Sequence, residues 1–210
     1  MFENIKVISQ TPCPGGFTHL RLAAKSIAAT AQPGQWITWG HRTLQIMRSD
    51  RHVGWIELLF TGEIPAEDKI EGPYGEPLIL SDKHSRSLLV AHLTELPALI
   101  FFADCLRQRR DHSTLLLLQV DDQLPFKPAP CRIMIPGMPA GVIATLPLLA
   151  EWHIALRMAS HQGLPGCFDG HVDELATHWL NKQPTSDEIE YLRLIDANGV
   201  YFIKNKLLSI

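Results

Sequence analysis

"AQPGQWITWGHRTLQIMR", residues 31–48, contains two short runs, "GQWITWG" and the start of "TLQIMRS", dominated by β-branched, aromatic and aliphatic residues. Runs of that length and composition suit strands, and Pro33-Gly34 just upstream supplies a turn. The same texture extends outward over residues 1–80. "NIKVISQ", "FTHLRLA" and "WIELLFT" read as further strands, and "KSIAATA" as one short helical turn. The breaks "PCPGG", "QPGQ", "RHVG" and "EGPYGEP" are rich in Gly and Pro. Short strands at this spacing predict a small antiparallel six-stranded barrel.

From about residue 84 the pattern changes. "SLLVAHL" is a continuous apolar run of the kind found in strands covered on both faces. "TELPALIFFADCLRQRR" follows with helical spacing and a basic last turn. Then come the strand "STLLLLQV", the strand "CRIMI", a helix near "IATLPLLAEW", the strand "IALRMAS" and a helix over "VDELATHWL". Strands alternating with helices predict a parallel sheet with helices on both faces. The expected division is residues 1–83 for the barrel and 84–210 for the α/β domain. In the tail, Thr185 with Glu188 reads as a capping box, and Ile189, Leu192 and Ile195 lie at helical spacing. The alternative is a hairpin through Asn198-Gly199 into "VYFIKN".

The totals narrow the function classes. The chain has 210 residues, 46% hydrophobic and 20% charged, enough for a well-buried core. Its formal charge of -3 leaves no footprint for nucleic acid. The N-terminus lacks the pattern of a signal peptide, and "LPALIFFA" is too short to span a bilayer. These features predict a soluble cytoplasmic protein with no nucleic-acid partner and no membrane span.

Cys13, Cys105, Cys131 and Cys167 are spread over the chain without the close spacing of a zinc or iron–sulfur set, so they read as free thiols. Cys167, Asp169, His171 and His178 lie near one another in sequence. The two histidines are separated by i, i+7, two helical turns, and read as solvated or capping groups with no metal expected. "RQRR", residues 107–110, reads as a solvated helix end, and Ser160-His161 as a turn with no nucleophile elbow around it. No catalytic side chain is assigned.

Three stretches carry a resemblance. "SIAATAQPGQWITWG" resembles the segment of the ferredoxin reductase family that ends in a PGQ turn, most of all in the electron-transfer subunits of dihydroorotate dehydrogenase. "GPYGEPLIL", residues 72–80, resembles the GPxG segment that closes the family's flavin domain. "LRMASHQGLPGCFDGHVDEL", residues 156–175, resembles a strand, a small-residue turn and a Gly-x-Val helix start of the same subunit. The resemblance implies FAD, with Arg42 on the pyrophosphate. Leu44 and Gln45 stand where the family has an aromatic or apolar residue and a serine, flanked by Thr43 and Ile46. Gly72, Pro73, Tyr74 and Gly75 would form the loop that lets backbone amides reach the phosphates.

Other family features are missing. The turn "AHLTELPAL", residues 91–99, has no glycine where a nicotinamide dinucleotide would meet a helix N-terminus. The Cys-Gly-Pro segment and the iron–sulfur cysteines are absent. "TELPA" resembles the T-x-LPA turn of siderophore-interacting flavoproteins, with Thr94 capping the helix. The resemblance therefore implies an FAD-dependent electron-transfer flavoprotein in a soluble redox system, with an impaired NAD(P)H site and no iron–sulfur cluster. It would work with a redox partner protein or a partner subunit. The alternative is a non-catalytic descendant of the family serving as a binding or scaffolding subunit.

Overall fold

The computed structural model describes residues 2–80, 83–107, 109, 112–121, 123–185 and 188–194. These form two compact units, one of residues 2–79 with 94–105 and the other of residues 80–93 with 106–194.

The first unit is a curled antiparallel sheet. Its strands are β1 (Phe2–Asn4), β2 (Lys6–Cys13), β3 (Phe17–Ala23), β4 (Trp36–Trp39), β5 (Arg42–Asp50), β6 (Trp55–Thr61) and β7 (Lys69–Tyr74). They are ordered β1-β7-β4-β5-β6-β3-β2, seven strands where six are expected: to the five strand segments named from the sequence, the division of the N-terminal segment into β1 and β2 adds one and β7 before Gly75 adds another. Alternation sets the core: Leu20 and Leu22, Ile37 and Trp39, Leu44 and Ile46, and Ile56, Leu58 and Phe60 all point inward. The short helix α1 (Lys25–Thr30) buries Ile27 and Ala28 against this core. No side chain of its own caps it; the Glu3 carboxylate accepts from Ser26 N at 2.9 Å and Ile27 N at 3.1 Å.

On β6, Glu57 faces away from that core and is still only 2% exposed. Arg21 donates to it from Nε at 3.0 Å and Nη2 at 2.5 Å, Arg48 lies at 3.5 Å and His19 at 3.6 Å. Arg48 reaches on to Asp104 at 3.2 Å. Burial opposes ionisation of Glu57, but the close approach of His19, the hydrogen bonds from Arg21 and the charge of Arg48 outweigh it and hold the carboxyl below its ordinary value.

The second unit is a five-stranded parallel sheet, ordered β13-β12-β9-β8-β14. The strands are β8 (Arg86–His92), β9 (Ser113–Gln119), β12 (Ala155–Ser160), β13 (Phe168–Asp169) and β14 (Ile189–Arg193). A two-stranded antiparallel pair, β10 (Ala129–Pro130) and β11 (Ala144–Thr145), forms its own small sheet, with β11 beside β12. Helices α3 (Pro147–Glu151) and α4 (Val172–Leu180) follow β11 and β13. Helix α4 lays Val172, Leu175, Ala176 and Trp179 on Leu88, Val90, Leu115 and Leu117. Helix α2 (Leu96–Leu106) groups with the first unit as far as Cys105, and its Phe101 joins that unit's core.

Several local expectations change. The tail segment with helical spacing is a strand: β14 pairs in parallel with β8 over Ile189–Arg193, and Leu194 N continues the ladder to Val90 O. Both faces of this strand bury side chains (Ile189, Glu190, Leu192), and that pattern resembles a helical repeat over five residues. "CRIMI" is not a strand. Arg157 donates to Ile133 O, the Met138 amide donates to Ile135 O, and the pairing strand lies just before it at Ala129–Pro130. Helix α2 ends at Leu106, and Arg107 beyond it lies over the Trp152 ring at 4.8 Å. Residues 195–210, with the Asn198-Gly199 turn and "VYFIKN", lie outside the described residues, as do Ser81, Gln108 and Arg110. Among the described residues no helix is long and apolar enough to cross a membrane.

Candidate functional site

Two of the sequence landmarks meet in the first unit. The Pro33-Gly34-Gln35 turn and the 72–75 loop are about forty positions apart, yet Gln35 joins them. Its Oε1 accepts from Gln32 N at 2.9 Å, its Nε2 donates to Gly75 O at 2.8 Å, and Leu78 N donates to Pro33 O at 2.8 Å. Glycine is required at both ends of this joint. Gly34 has φ +84°, and Gly75 has φ +90° with its missing Cβ overlapping the Trp36 ring at 1.9 Å. The sequence predicts a loop over Gly72–Gly75, but Gly72, Pro73 and Tyr74 are the last residues of β7, paired with β4 and packed past Ile37 and the Trp36 carbonyl, and only Gly75 lies beyond the strand.

Strand register makes a row across three strands. Trp36 on β4 pairs with Gln45 on β5 and with Tyr74 on β7, and all three side chains are half-buried. Tyr74 is held by Glu71, whose hydrogen bond raises the phenol's pKa. Gln45 Oε1 accepts from Ala98 N in the first turn of α2 at a long 3.4 Å. Trp36 was not singled out from the sequence; only the register shift between Trp36 and Thr38 brings it beside Tyr74.

The remaining barrel candidates separate by face. Leu44 and Ile46 point into the core at 4% and 0% exposure, so neither presents a surface outside the barrel. Thr43 is exposed. Arg42 shares the inward parity of Leu44. Its guanidinium lies 5.1 Å from the Phe60 ring and donates to Thr61 O at 2.6 Å and Glu63 O at 2.5 Å. Thus Gln45, Tyr74 and the 72–75 loop come together, and Arg42 is engaged with the loop after β6.

At the turn after β8, the chain passes through one 3-10 turn, Leu93–Glu95, into α2. Thr94 Oγ1 donates to Glu95 Oε1 at 2.5 Å instead of capping a helix amide, and Glu95 is 4% exposed.

In the second unit, side chains gather at the carboxyl ends of the parallel strands, where ligands of such sheets bind. The His171 ring is 5.7 Å from His92, at the end of β8, and 5.9 Å from His161, just past β12. His171 caps α4 by accepting from Asp173 N at 3.2 Å. Gln119 accepts from Val172 N at 2.6 Å and donates to Asp121 at 2.8 Å. Arg193 pairs with Asp173, whose hydrogen bond and charge outweigh burial and push the guanidinium's pKa further up. The sequence predicts a turn at Ser160-His161, and the chain turns at His161 just past β12; the approach of His92 and His161 to His171 needs the parallel order of the strands and has no local signal. Among the described residues no group of three or more His, Cys, Asp or Glu side chains is placed to hold a metal ion.

No protein-family model matches the chain, and no curated protein matches it. Solved structures do. An NADH-dependent reduced ferredoxin-NADP oxidoreductase superposes with TM-score 0.65 at 12% identity, over 92% of this chain and 76% of that one. The ferredoxin reductase of carbazole 1,9a-dioxygenase gives TM-score 0.64 at 13% identity over 92% of this chain, which spans 60% of that reductase. A siderophore-interacting protein from Aeromonas hydrophila gives TM-score 0.52 at 15% identity, over 91% and 78% of the two chains. At such identities the likeness is one of fold: the chain has the ferredoxin reductase-like fold, and the similar structures belong to the groups its sequence resembles.

Proposed function

We propose that the chain is an FAD-dependent electron-transfer flavoprotein whose flavin domain is residues 1–83, with residues 84–210 as a degenerate nucleotide-binding domain. The observation that carries this reading is the joint in which Gln35 ties the PGQ turn to Gly75 beside Trp36 and Tyr74. That joint offers an aromatic surface at Trp36 and Tyr74, a carboxamide at Gln45 and two turns, at Gly34 and Gly75, that only glycine allows. These groups suit a flat ring system bearing phosphates. Gln45, Trp36, Tyr74 and the 72–75 loop would hold the cofactor; a bound FAD supplies hydride and single-electron transfer. The chain's own part is to orient the ring and keep water from it. The partner would be a redox protein or a partner subunit. NADH and NADPH would bind weakly, since Leu93, the Thr94–Glu95 pair and Leu96 fill the turn after β8 with side chains.

One observation favours a second reading, a non-catalytic binding or scaffolding subunit. The family's phosphate arginine corresponds to Arg42, and here it holds the carbonyls of Thr61 and Glu63. The two readings separate on titration of the purified chain with FAD. One tightly held FAD per chain, reducible by dithionite, supports the flavoprotein; no retained flavin leaves the scaffold.

A further inference from the structure

We propose that the second unit has a separate binding site for a small organic carboxylate, at the amino ends of β8, β9 and β12. This is the opposite end of the sheet from the histidines. A cavity of about 170 Å³ opens there on the face that α4 covers. Leu115, Ile135 and the Trp179 ring give it apolar walls, and Arg86 and Gln183 line it together with small hydroxyl residues at the starts of β8 and β9, Ser87 and Thr114 among them.

Arg86 is the reason for the charge assignment. Its Nη2 donates to Gln183 Oε1 at 2.6 Å and its guanidinium lies 5.9 Å from the Trp179 ring. Among the described residues no carboxylate pairs with it, in contrast to Arg21, Arg48 and Arg193. A guanidinium has five donors in a planar fork, so those left over suit a carboxylate.

The wall is also preformed. Arg157 donates to Ile133 O at 2.6 Å, Trp179 Nε1 to Pro136 O at 3.1 Å, and Gln183 Nε2 to Pro136 O at 3.3 Å. Three side chains therefore hold the 133–136 segment against the sheet and leave Met134 at the rim, 92% exposed. A long, unbranched apolar side chain in that position can fold over an occupant. One cation, a lining part apolar and part hydroxyl, and this volume together suit a monocarboxylate with a compact body, roughly the size of benzoate.

The test is calorimetric titration of the full chain with sodium benzoate and, separately, with the neutral benzyl alcohol. Saturable one-to-one binding of benzoate is expected, with benzyl alcohol at least about tenfold weaker. Arg86→Gln should weaken benzoate by about tenfold or more and leave both benzyl alcohol binding and flavin content unchanged. Absence of saturable benzoate binding, or equal binding of the two probes by the unmodified chain, would overturn the site whether or not the variant folds. Equal benzoate binding by a folded Arg86→Gln variant would also overturn it. Flavin retention is read separately, so either proposal can fail alone.

Discussion

At the residue scale, Glu57 shows how a buried charge is kept. Two arginines and His19 surround it, and its carboxyl is held below its ordinary value of 4.5. A group whose pKa falls on folding adds stability that is fully present above its unfolded value and is lost as pH falls through its folded value. The chain should therefore lose stability as pH drops below about 4.5, and Glu57→Gln should flatten that part of the profile in urea melts taken across pH. The same variant should cost about 3 kcal/mol at neutral pH, the low end for breaking a buried pair, because Arg21 and Arg48 are partly exposed and can rehydrate. An unchanged acid limb would remove Glu57 as its source.

Arg42 gives the second residue-scale prediction. Two carbonyls depend on its guanidinium, so Arg42→Ala should lower stability by about 1–3 kcal/mol. Flavin retention should change little if the Trp36–Gln45–Tyr74 row is the platform. Loss of flavin from a variant of unchanged melting temperature would return Arg42 to the phosphates. Its position was legible in the strand pattern: Arg42, Leu44 and Ile46 share one parity, and the two apolar members claim the core side. Family likeness pointed to the arginine, and parity says which way it faces.

At the scale of elements, the joint between the PGQ turn and the end of β7 is packed tightly enough to sense a single methyl group. Gly75→Ala would set a Cβ into the Trp36 ring at a φ of +90°, and a cost of at least about 2 kcal/mol is expected in denaturant melts from overpacking and strain together. Trp36→Leu opens that space, so the double variant should recover part of the loss. No recovery would mean the ring does not set the penalty. Both segments were legible as motifs, but their contact was not, because it depends on the register of β7 against β4. The parallel sheet was legible from its apolar runs. The tail strand was not: five residues buried on both faces carry no period that tells strand from helix. "CRIMI" is the opposite case, with strand composition but its Ile133 carbonyl taken by Arg157 and its Ile135 carbonyl by the Met138 amide.

For the whole molecule, the fold was legible because landmarks in order along the chain imply an antiparallel barrel followed by a parallel sheet, and that is the architecture present. Function rests on how far a shared fold has kept its cofactor, and fold alone does not decide it. The central claim is that FAD lies on the Trp36–Gln45–Tyr74 row. The most direct measurement is the visible absorption spectrum of the chain after incubation with FAD and removal of free ligand, for the unmodified protein and for Gln45→Ala with Trp36→Leu. One FAD per unmodified chain is expected, with little or none in the double variant while its fold persists by circular dichroism. A colourless unmodified protein, or equal flavin in both, would contradict it.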